Sequence, residues 1–348
     1  MEVINATSLK RKTYQVDVKY SLLWECALGI AAITNTPLLD SLEKPMQYWK
    51  TVRETFSNDM RHHLEWVEKH NTWKALLQLL HQRDFLDLKD FATFIHSLDE
   101  KEFRYICIPF VGMEEQVLRR DAADGDQEAM EQLQTKTEEN PFFPRYIEYI
   151  CKVGVEDLKR HLVAVMTGWY DAIIAPDKEN VQKILHTDIE AKLLAKEKMT
   201  SEALVAWATS GINYAAEPGV HRVLLIPHMI YRPWSIVADL EDTKVFYYPV
   251  ANESIAPEDS YMPNNFLVLR HKALGDEMRL RIVKLLFEKS RSLNELTGLL
   301  KLGKSTIHHH LKILRSAKLV EIKNSRYVLK QHALFSLSEE LELYLHQE

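Results

Sequence analysis

The sequence is short of cysteine and of glycine, and each shortage excludes chemistry. Its three cysteines, Cys26, Cys107 and Cys151, are odd in number and far apart, and no CxxC pair exists. A zinc knuckle or a thioredoxin-like site is therefore unsupported, and free thiols in a reducing compartment are expected. None of the ten glycines belongs to a Walker loop, a GxGxxG turn or a GxSxG elbow, so neither a phosphate cradle nor a hydrolase nucleophile is in view. No apolar run reaches the roughly 18 residues that mark a membrane-spanning helix. The first residues, 1-MEVINATSLKRKTYQVDVKY-20, lack the apolar core of a signal peptide. Cytoplasmic residence, with no membrane partner and no cofactor, is the expectation.

What is present is a soluble-type composition with an uneven charge. The chain has 348 residues, 46% hydrophobic and 27% charged, and a formal net charge of −6. That length allows one large domain or two to three ordinary ones. Residues 266–331 hold 15 Lys and Arg against 5 Asp and Glu, a net of +10. Residues 1–265 hold 29 against 41, a net of −12, and the tail 332–348 adds −4. A basic segment beside an acidic body points to a polyanionic partner for that segment.

Periodicity predicts a mainly α chain with small β elements. Tyr14, Val16, Val18 and Tyr20 alternate as in a strand, and Val18, Leu22, Cys26, Ile30 and Ile33 recur at helical spacing. Helices are expected near 42–57, 59–82, 88–98, 99–106, 113–135, 142–170, 178–197 and 200–210. The polar stretch 113–139 reads as a solvated helix or a loop. β-branched and aromatic residues over 220–250 predict strands near 221–226, 234–239 and 243–249, the last two joined by 240-LEDT-243, with the N-terminal strand free to pair with them. The resulting division is a mostly helical domain over 1–250, a polar linker over 251–265 and a second domain over 266–348.

In that second domain Asp276 is placed to cap a helix whose stripe is Leu280, Val283, Leu286 and Phe287. A shorter helix, 292-SLNELTGLL-300, follows, then 301-KLG-303, a helix over 304–317 and two short strands around Asn324–Ser325. This order is a winged helix-turn-helix. Its third helix carries three adjacent histidines, which read as a metal site, a nucleic-acid surface or core. Successive helical residues are about 100° apart, so His308, His309 and His310 leave in three directions and cannot converge on one ion. Ile307, Leu311 and Leu314 must face the core, with His310 beside them. His309 lies opposite with Ser305, Lys312 and Ser316, and His308 flanks it with Lys304 and Arg315 further round. A polar, basic outer face suits a helix lying in the major groove.

The runs 271-HKALGDEMRLRIVKLL-286 and 293-LNELTGLLKLGKSTIHHHLKILRSAKLV-320 resemble the ArsR/SmtB-type winged-helix repressors. The resemblance covers roughly the last 80 residues. It implies a homodimer on a pseudo-palindromic double-stranded DNA operator, released by a signal. Lys304, Ser305, Thr306, His308 and His309 match the family's reading positions, and Lys323, Asn324 and Arg326 sit at its wing. Two departures stand against metal sensing. The helix SLNELTGLL lacks the family's cysteine-containing box, and His332 and His346 lack the spacing and partners of its C-terminal metal site. The tail 334–348 places Leu334, Leu337, Leu341 and Leu345 in a stripe, where family members dimerise.

The whole chain is similar to ArsR-type regulators that carry a long N-terminal domain, most visibly at 224-LLIPHMIYRPWSIVADL-240. There His228, Tyr231, Arg232 and Trp234 set a cation, a phenol and an indole together. They suit an anionic or aromatic small-molecule effector, or else an inter-domain contact or a structural Arg stacked on Trp. The stretch 61-RHHLEWVEKH-70 has no HExxH and reads as an amphipathic helix with Leu64 and Val67 inward. The expectation is a non-enzymatic regulator, a repressor, whose N-terminal domain senses a non-metal signal or dimerises. The alternative is a bifunctional chain with an N-terminal enzyme or ligand-binding domain. A winged helix used for protein contact is disfavoured by its basic face.

Overall fold

The computed structural model describes residues 14–346. The N-terminal body is built round the helix Leu22–Ile33. Ser21 caps it, accepting from the Leu23 amide at 3.1 Å. Every residue from Leu23 to Ile33 is buried. A helix apolar on all sides has to be surrounded. The helices Asn58–His70, Trp73–Leu80, Leu88–Ser97, Glu100–Cys107, Phe143–Lys152 and Val155–Trp169 share its core. Gly29 lets the Trp169 indole approach so closely that a Cβ there would overlap it.

One side of the body is a four-stranded sheet of β1 (Gln15–Val18), β2 (Arg222–His228), β3 (Ile236–Asp239) and β4 (Thr243–Pro249), in the order β1-β2-β4-β3. β1, β2 and β4 run parallel, and β3 returns antiparallel to β4. The N-terminal strand thus joins the later ones, as its alternation suggests. Ile226, Val245 and Tyr247 face the helical core, while Val223, Leu225, Phe246 and Tyr248 pack on Leu204, Val205 and Ala208 of the helix Ser201–Ala208. Both faces are covered, so β2 and β4 read as near-continuous apolar runs.

Three stretches are seen in more detail than the periodicity gives. The stretch 59–82 is two helices, because Asn71 ends the first in the left-handed region at φ 55°. The polar 113–139 region is not a loop. Helices Gln116–Ala123 and Gln127–Lys136 bury Ala122, Ala129, Met130 and Leu133, and the buried Arg119 donates to the carbonyls of Ile108 and Tyr105 at 2.8 and 2.9 Å. Small apolar residues make that packing possible with little hydrophobic content. The segment 251–265 is tied down: fully buried Asp188 accepts from the Ala251 amide and the Ser254 hydroxyl, both at 3.0 Å, and Asn252 donates to Pro263 at 2.8 Å.

The C-terminal part follows the winged helix-turn-helix order. Helices span Asn265–Leu274, Glu277–Glu288, Leu293–Leu300 and Lys304–Ser316. The hairpin of β5 (Val320–Lys323) and β6 (Arg326–Leu329) follows, then helices Gln331–Phe335 and Leu337–Leu345. Asp276 caps its helix through the Arg279 amide at 2.9 Å, and Ser292 with Glu295 forms a capping box. Ile282, Val283, Leu286, Leu296, Ile307, Leu311 and Leu314 make the core. Leu280 and Phe287, expected in the stripe, are instead half exposed, and Ile282 takes the inward place.

Candidate nucleic-acid interface

The helix Lys304–Ser316 is held from beneath by Ile307, Leu311 and Leu314, all fully buried. That anchoring fixes which side faces out. Lys304, Ser305, Thr306, His308 and His309 are exposed. They form a polar surface over the N-terminal half of the helix, the half that meets base edges in helix-turn-helix proteins. The three histidines separate as helical geometry requires. His310 is turned inward with its Nδ1 3.8 Å from Asp276, beyond hydrogen-bond reach, and burial lowers its pKa. Among the described residues no group of three His, Cys, Asp or Glu side chains is placed to hold a metal ion.

The C-terminal half of the same helix is placed differently from the sequence expectation. Lys312 shares the outward face with Ser305 and His309, yet its ammonium is bound to the Asp40 carboxylate and the Pro37 carbonyl of the N-terminal body. Ser316 is buried and donates to Ile313 at 2.9 Å. The Arg315 guanidinium lies 5.6 Å from the centre of the Trp234 ring, and burial lowers its pKa. Lys318, just past the helix, donates to Ser235 at 3.2 Å, and burial with neighbouring Lys330 and Arg315 lowers it to about 8.

At the wing, Asn324 and Ser325 turn the chain with φ 48° and 58°, and both are exposed with Lys323. Lys323 is 2.7 Å from Glu321, a surface pair of little strength. Arg326 is not at the tip. It donates to the Ser290 carbonyl at 2.8 Å and pairs with Glu295 at 2.8 Å, joining β6 to the capping box. The Ser292 amide first, and then Arg326, pull Glu295 down to about 2. Arg326 is thus occupied within the fold.

The four N-terminal candidates do not converge on an open pocket. His228 is fully buried, its Nε2 3.0 Å from the Trp234 carbonyl, and burial pushes it down to about 3. Arg232 donates to Glu43 at 2.7 Å, to the Val250 carbonyl at 2.9 Å and to the Asn252 side chain. The Trp234 indole donates to Ser41 at 3.0 Å. Tyr231 is buried on the other side, at the edge of a cleft with Asn35, His70 and Tyr149. These contacts tie His228, Arg232 and Trp234 into the N-terminal body through Glu43, Val250, Asn252 and Ser41. On the helix 58–70, Leu64 and Val67 do point inward, and His63 meets the buried His161 at 2.9 Å, a pairing the sequence gives no sign of.

Residues 276–321 match the family model described as bacterial regulatory protein, arsR family. The C-terminal part of the chain is a winged helix-turn-helix of the ArsR type, a DNA-binding module of transcription regulators. No curated protein and no solved structure matches the chain.

Proposed function

We propose that this protein is a sequence-specific transcription regulator, a dimeric repressor whose N-terminal body governs the DNA-binding module. One observation carries the DNA-reading part: an apolar seam fixes the helix Lys304–Ser316 so that Lys304, Ser305, Thr306, His308 and His309 stand together in solvent. Hydroxyls, imidazoles and an amine at that position suit base edges and phosphates. Two groups of exposed apolar side chains support the dimer. Leu280, Phe287 and Phe335 form one, with Phe287 edge-on to Phe335 at 6.3 Å, and Leu341 and Leu345, one turn apart, the other. The body is read as regulatory and not catalytic, because the polar groups that stand out in its sequence are spent on internal hydrogen bonds.

A mobility-shift titration with the DNA upstream of the protein's own gene tests the reading. Lys304→Ala combined with His309→Ala is expected to weaken binding at least about tenfold, as loss of about 1–3 kcal/mol per good contact implies. Wild-type affinity in that double variant would remove the recognition-helix assignment. Sedimentation of the wild-type chain checks the dimer, and Phe287→Glu is expected to shift it toward monomer.

A further inference from the structure

The RPW stretch is not used by the function proposed above, yet it is among the most fully bonded segments of the body. Arg232 binds Glu43, and the Glu43 amide donates back to the Arg232 carbonyl at 2.9 Å. Trp234 binds Ser41. Buried Leu39 anchors the short helix Thr36–Leu39 just before them. Residues 37–43 and 232–235 are thereby stapled into one rigid ledge. The ledge presents Asp40 and the Pro37 carbonyl, the face of Trp234 and the hydroxyl of Ser235. Against these groups stand, in order, Lys312, Arg315 and Lys318.

We infer that this ledge is a docking surface for the chain's own recognition helix, and that its occupancy excludes duplex DNA. The inference rests on the DNA-binding reading. Lys312 lies on the face that carries Ser305 and His309, one turn further on, about 4.5 Å along the axis. A major groove about 12 Å wide closes on a helix about 10–12 Å across. No space remains for a second protein element one turn from His309. Charge acts in the same direction. The Asp40 carboxylate and the Pro37 carbonyl give Lys312 the oxygen partners a phosphate would give it, and Asp40 itself repels phosphate. The body carrying the ledge has a net charge of −12 over residues 1–265, and the segment it holds has +10 over 266–331. Binding DNA therefore means releasing Lys312, Arg315 and Lys318 from the ledge. The apparent affinity of the chain is reduced by the fraction of molecules held shut.

The test uses full-length protein and duplex DNA. Asp40 is exposed, so Asp40→Lys puts like charges across the contact without disturbing a core. Glu128→Lys, exposed on the helix Gln127–Lys136, adds the same charge away from the ledge and is the control. Asp40→Lys is expected to bind duplex about tenfold more tightly than Glu128→Lys, from loss of a charge pair and gain of a repulsion. Equal affinity of the two variants would overturn the inference. In the wild-type chain, hydrogen exchange at residues 36–41 and 231–236 is expected to rise when duplex is added. Unchanged exchange there on a duplex-bound chain would also overturn it. If no form binds duplex even at low salt, the DNA-binding reading itself falls, and the ledge would hold a helix of another purpose.

Discussion

The N-terminal body and the winged helix put their carboxylates in opposite places. The winged helix buries two arginines, Arg270 and Arg291, but their partners Glu340 and Glu288 reach solvent, and its carboxylates Asp276 and Glu295 sit on helix caps at the surface. The body buries carboxylates. Asp188 is fully enclosed, accepting from Tyr248 at 2.7 Å and pairing with Lys192 at 3.3 Å besides its bonds to Ala251 and Ser254. Glu25, in the first turn of the central helix, accepts from the amides of Met229 and Ile230 at 3.0 and 2.7 Å. His161 and His228 are buried as neutral rings. An apolar core tolerates exchange of similar shapes, whereas a buried polar network fails when one member is removed. The module that reads DNA is the tolerant kind, and the body that holds it is the brittle kind.

The largest expected effect is at Asp188. Asp188→Ala strands Lys192, the Tyr248 hydroxyl and the Ala251 amide, and is expected to cost about 3–5 kcal/mol by denaturant unfolding. Next comes acid. His161 and His228 have folded pKa values of about 3 against 6.5, so the unfolded chain takes up protons first. Their contribution is full above pH 6.5 and is lost as pH falls toward 3. Glu25 runs the other way. Burial raises it from 4.5 to about 7, so the folded state holds that proton and gains stability as pH falls from 7 to 4.5. His81, pushed down to about 4 by burial, acts in the same direction as His161 and His228. The net expectation is a loss of stability between pH 6 and 4.5, read by hydrogen exchange in the body and not in the winged helix. Glu25→Gln removes the opposing contribution and should steepen that loss.

Gly29→Val drives a side chain into Trp169 and should destabilise the body by about 1–3 kcal/mol in a thermal scan. Smallest is Glu295→Ala, which removes half of a surface capping box and an exposed pair with Arg326, and is expected to lower the midpoint of a thermal scan least of the set. If that substitution cost as much as Asp188→Ala, the contrast between the two parts would be wrong.

Legibility follows the same division. Ile307, Leu311, Leu314 and the Asp276 cap could be read from the sequence because helical period and capping are local. The outward turn of Leu280 and Phe287 could not, since a stripe wider than the core does not say which edge stays in solvent. Lys312 and Arg315 had the right chemistry for DNA, but their partners Asp40 and Trp234 lie far away in the chain and no local pattern announces them. For Arg232 and Trp234 the alternatives were visible, and only the positions of Glu43, Ser41 and Asn252 show what they hold. The pairing of His63 with His161 gave no signal, because it depends on how two distant helices cross.

β1 pairs with β2 through Gln15 opposite Arg222 and Val18 opposite Leu225. On a ribosome adding about 5–20 residues per second, β1 waits some 10–40 s for that partner. The body therefore cannot close until its last strands are made, and the basic module emerges within seconds of them. In the living cell the ledge and the helix it grips are completed almost together, so a newborn chain has little time in which Lys312, Arg315 and Lys318 are free of the ledge.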